Sequence, residues 1–168
     1  MEEQKRVGIP FIKRINGYLH KVTPIVDGTG KVVHSIVTPF QIELRPRDVF
    51  QIIVGAFLLA VPVAFTEEVW ILSEQLPLKN ICYLAAISVF FIACFVYFNF
   101  YRFTLKEHLL DYIKRVFFTY GLSLVAVGLF LTIITKCPWG VDNLLAVKRI
   151  ILVAFPASMA ATLSDTIR

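Results

Sequence analysis

Four apolar runs, each long enough to cross a bilayer, constrain this chain more than any other feature. The first, residues 49–72, reads VFQIIVGAFLLAVPVAFTEEVWIL; the others cover about 81–101, 116–136 and 144–166. At ~1.5 Å per residue, about 20 helical residues span the ~30 Å hydrocarbon layer. The connections between the runs are too short to hold a domain of their own. The expected fold class is therefore an all-α membrane protein: four transmembrane helices over residues 48–168, preceded by a small cytoplasmic segment, 1–47, that contains a β-hairpin. Composition agrees, because the 168 residues are 57% hydrophobic and 17% charged, against about 45–50% and 25% in ordinary globular domains. The opening residues, MEEQKRVGIPFIKR, have no apolar core of the kind a cleavable signal peptide needs.

The basic residues are unevenly distributed. Residues 1–48, the 99–115 connection and the C-terminus together hold thirteen of the 17 Lys and Arg, leaving Lys79, Lys136, Lys148 and Arg149 for the two other turns and their flanks. Basic residues favour the cytoplasmic side, so both termini are expected inside a multi-pass cell-membrane protein. This sidedness accounts for the net charge of +5 better than nucleic-acid binding does, and no nucleic-acid partner is expected. In the polar segment, 18–26 and 31–37 read as strands around the turn Asp27-Gly-Thr-Gly30. A lone hairpin is marginal in water, so it should rest on the membrane part or on copies of itself. His20 and His34 read as surface residues. Arg45 and Arg47 suit headgroup contact, and Pro46 suits the first turn of a helix.

Within the first run, Pro62 removes a hydrogen bond to the carbonyl of Leu58, which predicts a kink. Glu67 and Glu68 fall near the outer boundary, with Trp70 marking the headgroup level and Thr66 available for local backbone adjustment. Acids at that depth normally face protein or water, so Glu68, Glu67 and Thr66 are the candidate ion-pathway or selectivity residues. The string GAFLLAVPVAFTEEVW, 55–70, resembles the signature of the prokaryotic integral membrane protein family known as domain-of-unknown-function family 2391. That signature has a Gly- and Leu-rich segment, a proline, and an aromatic-Thr-x-Glu-Val-Trp ending; Pro62, Thr66, Glu68 and Trp70 match it, and Glu67 occupies its variable place. The closing FPASM, 155–159, is similar in character to the family's last helix. The resemblance implies membrane residence and no particular activity.

Further along, the aromatics Tyr97, Phe98, Phe100, Tyr101 and Phe103 suggest an interfacial belt. Thr104-Leu-Lys-Glu107 has the form of a capping box. Residues 104–115 read as a cytoplasmic helical lead-in that runs into the third span, and in it Asp111 and Arg115, four apart, can pair. Gly121 and Gly128, seven apart, can both face one neighbouring helix closely. Trp139 is a second interface anchor. The fourth run carries Lys148 and Arg149 near its outer end, then Pro156, a second kink candidate, among small residues suited to close packing. Cys82 and Cys137 both fall near outer ends, where a bridge is conceivable; neither they nor Cys94 show metal-ligand spacing, so no metal or cofactor is expected.

The topology brings Glu67 and Glu68 to the depth of Lys148 and Arg149, where opposite charges can clamp two helices. Repeating Glu68 around a symmetry axis would form a carboxylate ring, and the leading expectation is a homo-oligomeric permeation pathway for inorganic cations. Two alternatives stay open. One is a non-conducting structural or regulatory module, embedded in the lipid bilayer, that binds a cytoplasmic partner through its hairpin. The other is a proton-coupled small carrier. Enzyme motifs such as GxSxG, HExxH and phosphate-binding loops are absent from the sequence, so the chain is not expected to be an enzyme.

Overall fold

The computed structural model describes residues 6–7, 11–15, 18–27, 30, 32–39, 46–101 and 109–167. The chain divides into two compact units, Met1–Glu43 and Leu44–Arg168.

The first unit is an antiparallel sheet of four strands: β1 (Arg6–Val7), β2 (Phe11–Ile15), β3 (Tyr18–Val26) and β4 (Val32–Pro39). The expected hairpin is present as β3 and β4. Its turn is closed by the Gly30 N–H, which donates to the Asp27 carbonyl at 3.1 Å, and Gly30 takes φ +85°, a left-handed conformation that suits glycine. The other two strands add to that reading. Val22 pairs with both Phe11 and Val37, and Val26 with both Arg6 and Val32, so β1 and β2 share one edge of β3 and β4 occupies the other. The gap between β2 and β1 falls at Thr23–Pro24, where proline has no N–H to offer. The sequence signal for β2 is the pair Asn16-Gly17 before β3, the favoured composition of a two-residue hairpin loop.

The second unit contains α1 (Pro46–Ala64), α2 (Glu67–Gln75), α3 (Leu78–Val96, continued by a π-helical turn, Tyr97–Tyr101), α4 (Leu109–Ile133) and α5 (Asn143–Thr166). Four of these, α1, α3 with its π turn, α4 and α5, are long and apolar enough to cross a membrane. α5 is the central helix and packs against α1, α2, α3 and α4.

The first run is not one helix over 49–72. Pro62 leads to termination two residues later instead of a kink within a continuing span: the Phe65 and Thr66 N–H groups bond three residues back instead of four, to the Pro62 and Val63 carbonyls at 3.4 and 3.2 Å, and Thr66 turns extended at φ −93°, ψ 137°. The Thr66 hydroxyl also donates to the Val63 carbonyl, at 2.7 Å, so it serves the end of α1 and does not cap α2. α5 continues through Pro156, with no break in its helical assignment. Residues 109–115 form the first turns of α4 and run on into the span, as expected of the lead-in. Thr104–Glu107 and Arg45 lie outside the described residues.

The core between α1, α4 and α5 is built from small side chains. Ala56, Ala60, Ala154, Ala157 and Ala161 are fully buried with Ile52, Val127, Leu131 and Val153. Close approach is set at Gly55, where an added Cβ would lie 2.6 Å from the Ser164 Cβ, 2.7 Å from the Ala160 carbonyl oxygen and 2.7 Å from the Ala161 Cα. Gly121 has nothing within 4 Å of such a Cβ, and Gly128 meets only the Ile150 side chain at 3.4 Å. The glycine that lets two helices touch is therefore in α1, not in the pair expected from α4.

Candidate functional site

Charged side chains gather at the two ends of the helical unit. At one end, α2 lies across α5. Glu67 and Glu68 occupy the first turn of α2, are exposed, and make no ion pair among the described residues. That position is favourable for carboxylates by itself, because the helix start carries a partial positive charge.

The expected clamp to Lys148 and Arg149 forms with other partners. Arg149 Nη2 lies 3.0 Å from Glu74 Oε1, its Nη1 donates to the Lys136 carbonyl at 2.7 Å, and its Nε donates to the Ser73 hydroxyl at 3.3 Å. Lys148 Nζ donates to the Leu76 carbonyl at 2.7 Å, satisfying the C-terminal end of α2. The reason is the break at Phe65–Thr66. By restarting the helix it puts Glu67 and Glu68 at the beginning of α2, and the far end, Ser73 to Leu76, is what reaches the two basic side chains.

Trp70 is half-buried against the core, with Arg149 and Lys136 each 5.3 Å from its ring centroid. Trp139 is 48% exposed, and its Nε1 donates to the Thr132 hydroxyl at 2.9 Å. Cys82, Cys94 and Cys137 are all free, so the conceivable bridge between Cys82 and Cys137 is not made. Burial pushes the Cys137 thiol up, against a hydrogen bond from Thr132 and the positive charge of Arg149.

These contacts differ in worth. The Glu74 side chain is 60% exposed, so Glu74→Gln should cost less than about 1 kcal/mol. Arg149→Ala should lower the thermal midpoint in detergent more than Glu74→Gln does, because it removes the Ser73, Lys136 and Trp70 contacts together. Equal shifts in the two variants would show that the ion pair alone matters.

The opposite end holds a buried cluster that sequence reading missed. Arg115, in the second turn of α4, is 1% exposed and the largest fully buried side chain described. Its Nη2 and Nε lie 2.6 and 3.2 Å from Asp165 Oδ2, in the last turn of α5, and Nη2 is 3.7 Å from Asp48 Oδ2 in the first turn of α1. The guanidinium also sits over the Phe100 ring, 3.9 Å from its centroid. Beside it the fully buried Tyr101 packs edge-on against Tyr112, with centroids 5.4 Å apart, and the Tyr112 hydroxyl donates to the Ala93 carbonyl at 3.0 Å. One arginine thus joins α1, α3, α4 and α5.

The sequence signal for this cluster was the acid-base-acid set Asp48, Arg115 and Asp165, each within two turns of the end of an apolar helix. The local i, i+4 spacing instead suggested Asp111 as the arginine's partner. In the structure the side chain turns inward, where taking charge out of water demands close partners, and two of its nitrogens reach the same Asp165 oxygen.

Between the two ends, Ser88, Thr119, Ser123, Ser158 and Thr162 are buried. Ser88, Ser123, Ser158 and Thr162 donate to the carbonyls of Leu84, Thr119, Phe155 and Ser158 at 2.7–3.1 Å, so these hydroxyls are spent on their own helices. Among the described residues no group of three His, Cys, Asp or Glu side chains is placed to hold a metal ion.

The model of the integral membrane protein family DUF2391, a domain of unknown function, matches residues 28–164, from the β3–β4 turn to the last turns of α5. No curated protein and no solved structure matches the chain.

Proposed function

Because the chain belongs to the integral membrane protein family DUF2391, we propose that it acts as a non-conducting membrane module whose helical unit is an anchor and whose N-terminal sheet is the part that binds. The observation that carries this reading is where the charges go. Arg115 and Arg149, one at each end, are tied to acids of the same chain, around a core of alanines with fully buried Ile52, Val127 and Val153. Such a bundle is braced across its helices and, among the described residues, supplies no charged lining for a route through a single chain.

A second reading, a cation pathway formed between copies, is favoured by Glu67 and Glu68, which face outward without an ion pair among the described residues. Liposome flux separates the two. The module predicts no cation flux from the reconstituted wild-type chain. Flux that is present in the wild type and reduced or altered in selectivity by Glu68→Gln would replace the module with the pathway.

The bias of Lys and Arg supports an orientation with both termini cytoplasmic. A C-terminal fluorescent-protein fusion should then be bright and an alkaline phosphatase fusion inactive; the reverse pattern would invert the topology.

A further inference from the structure

We infer that the β2–β3 hairpin is a docking surface for the anionic headgroups of the bilayer that holds the helical unit. This rests on the reading of the sheet as the binding part and names what it binds.

The four strands carry Arg6, Lys13, Arg14 and Lys21 and contain no Asp or Glu. Three of those four bases fall on consecutive rungs of one ladder. Ile12 pairs with Lys21, Lys13 with His20 and Arg14 with Leu19, and Ile15 and Tyr18 form the last rung of the hairpin. In an antiparallel pair, positions directly opposite share a face, and so do diagonal ones two residues on. Lys13 and His20 therefore occupy opposed positions on one face, and Arg14 and Lys21 diagonal positions on the other. Among the described residues of this unit the acid is Asp27, and it follows the far end of β3. Basic positions grouped on neighbouring rungs, with no acid in the strands between them, repel one another until an anion arrives.

The tether says which anion. Pro39, the last residue of β4, pairs with His20, so the rung Lys13–His20–Pro39 crosses the sheet and the chain leaves it at its basic end. Only six residues separate Pro39 from Pro46, the first residue of α1, itself a helix long and apolar enough to cross the membrane. Fully extended, that connection reaches at most about 25 Å. A bilayer surface is therefore offered to the hairpin at high effective concentration, as no soluble partner is. Anionic headgroups attract basic groups within a Debye length of the surface. Tyr18, beside the Asn16-Gly17 pair at the hairpin tip, is a residue type that favours the headgroup level. A nucleic acid or an acidic peptide would meet the same charges without the tether.

The test uses the full chain in nanodiscs, with Cys82, Cys94 and Cys137 replaced by alanine and an environment-sensitive fluorophore on Ile15→Cys. In discs of phosphatidylcholine with phosphatidylglycerol, the fluorophore should be blue-shifted and quenched by brominated acyl chains. In phosphatidylcholine alone, or in the anionic discs at high salt, both signals should fall severalfold. Each base removed from the hairpin should lower the ratio of docked to undocked sheet about fivefold, so Lys13→Gln and Lys21→Gln should each weaken the signal and the double variant should weaken it further. Arg6→Gln should leave it unchanged, because Arg6 pairs with Val26 at the far end of β3. Equal signals in neutral and anionic discs, insensitivity to salt, or a loss for Arg6→Gln as large as for Lys13→Gln overturns the proposal. So does a fluorophore that ignores both discs and responds to added single-stranded DNA or polyglutamate, which would assign the charges to that partner. Docking in the stated pattern together with cation flux in liposomes would keep this surface and remove the non-conducting reading. No docking with no flux would do the opposite.

Discussion

Arg115→Met should be among the most damaging single changes in the helical unit, lowering stability by about 3–5 kcal/mol. The guanidinium is 1% exposed, with Asp165 at 2.6 Å, Asp48 at 3.7 Å and the Phe100 ring beneath it. Methionine keeps much of the volume, so the loss comes from taking the guanidinium's charge and hydrogen bonds away from a carboxylate that is itself about 1% exposed. Arg115→Lys should also fail to restore wild-type stability, since an ammonium cannot offer two nitrogens to one carboxylate and stack on a ring at once. Pairing Arg115→Met with Asp165→Leu should recover a large part of the loss, because the more deeply buried carboxylate goes too. Reversible unfolding in mixed micelles reads all three. A cost below about 0.5 kcal/mol for Arg115→Met, the range of an ordinary surface change, would mean that the cluster does not hold the helices.

Gly55→Ala should destabilise where the same change at Gly121 does not. In a helix interior, alanine is ordinarily favoured over glycine by about 1 kcal/mol. At Gly121, with nothing within 4 Å of an added Cβ, the change should be neutral or stabilising. At Gly55 the added Cβ lies 2.6–2.7 Å from Ser164, Ala160 and Ala161, and two of those three contacts are backbone atoms that cannot rotate aside. α1 and α5 would have to separate along the contact lined by Ala56, Ala60, Ala157 and Ala161. Overpacking of that kind costs about 1–3 kcal/mol, and Gly55→Val should exceed it. Opposite signs at the two glycines, read as thermal midpoints in one detergent, are the expected result. A stabilising Gly55→Ala would show that the α1–α5 contact is looser than these distances.

Much of the fold was legible because it depends on quantities that are additive along the chain. The number of bilayer-length apolar helices, the hairpin of β3 and β4, and the helix start at Pro46 follow from run length, turn residues and proline geometry. Pro62 was legible as a disturbance, but whether a proline kinks a helix or ends it depends on what the freed backbone can bond to. Here Thr66 bonds back to Val63 and α2 begins anew.

The polar sites were less legible. Spacing in sequence proposed Asp111 for Arg115, and depth proposed Glu67 or Glu68 for Arg149. The structure pairs these arginines with Asp165 and Glu74, fifty and 75 residues away along the chain.

The sequence by itself determined that this chain enters a membrane and in how many apolar helices. Only the tertiary structure decided which charges meet. Hydrophobic length is a property of each segment taken alone, whereas an ion pair depends on the rotation of two helices about their axes. That rotation is set by packing contacts such as Gly55 on Ala160–Ser164, between residues a hundred positions apart.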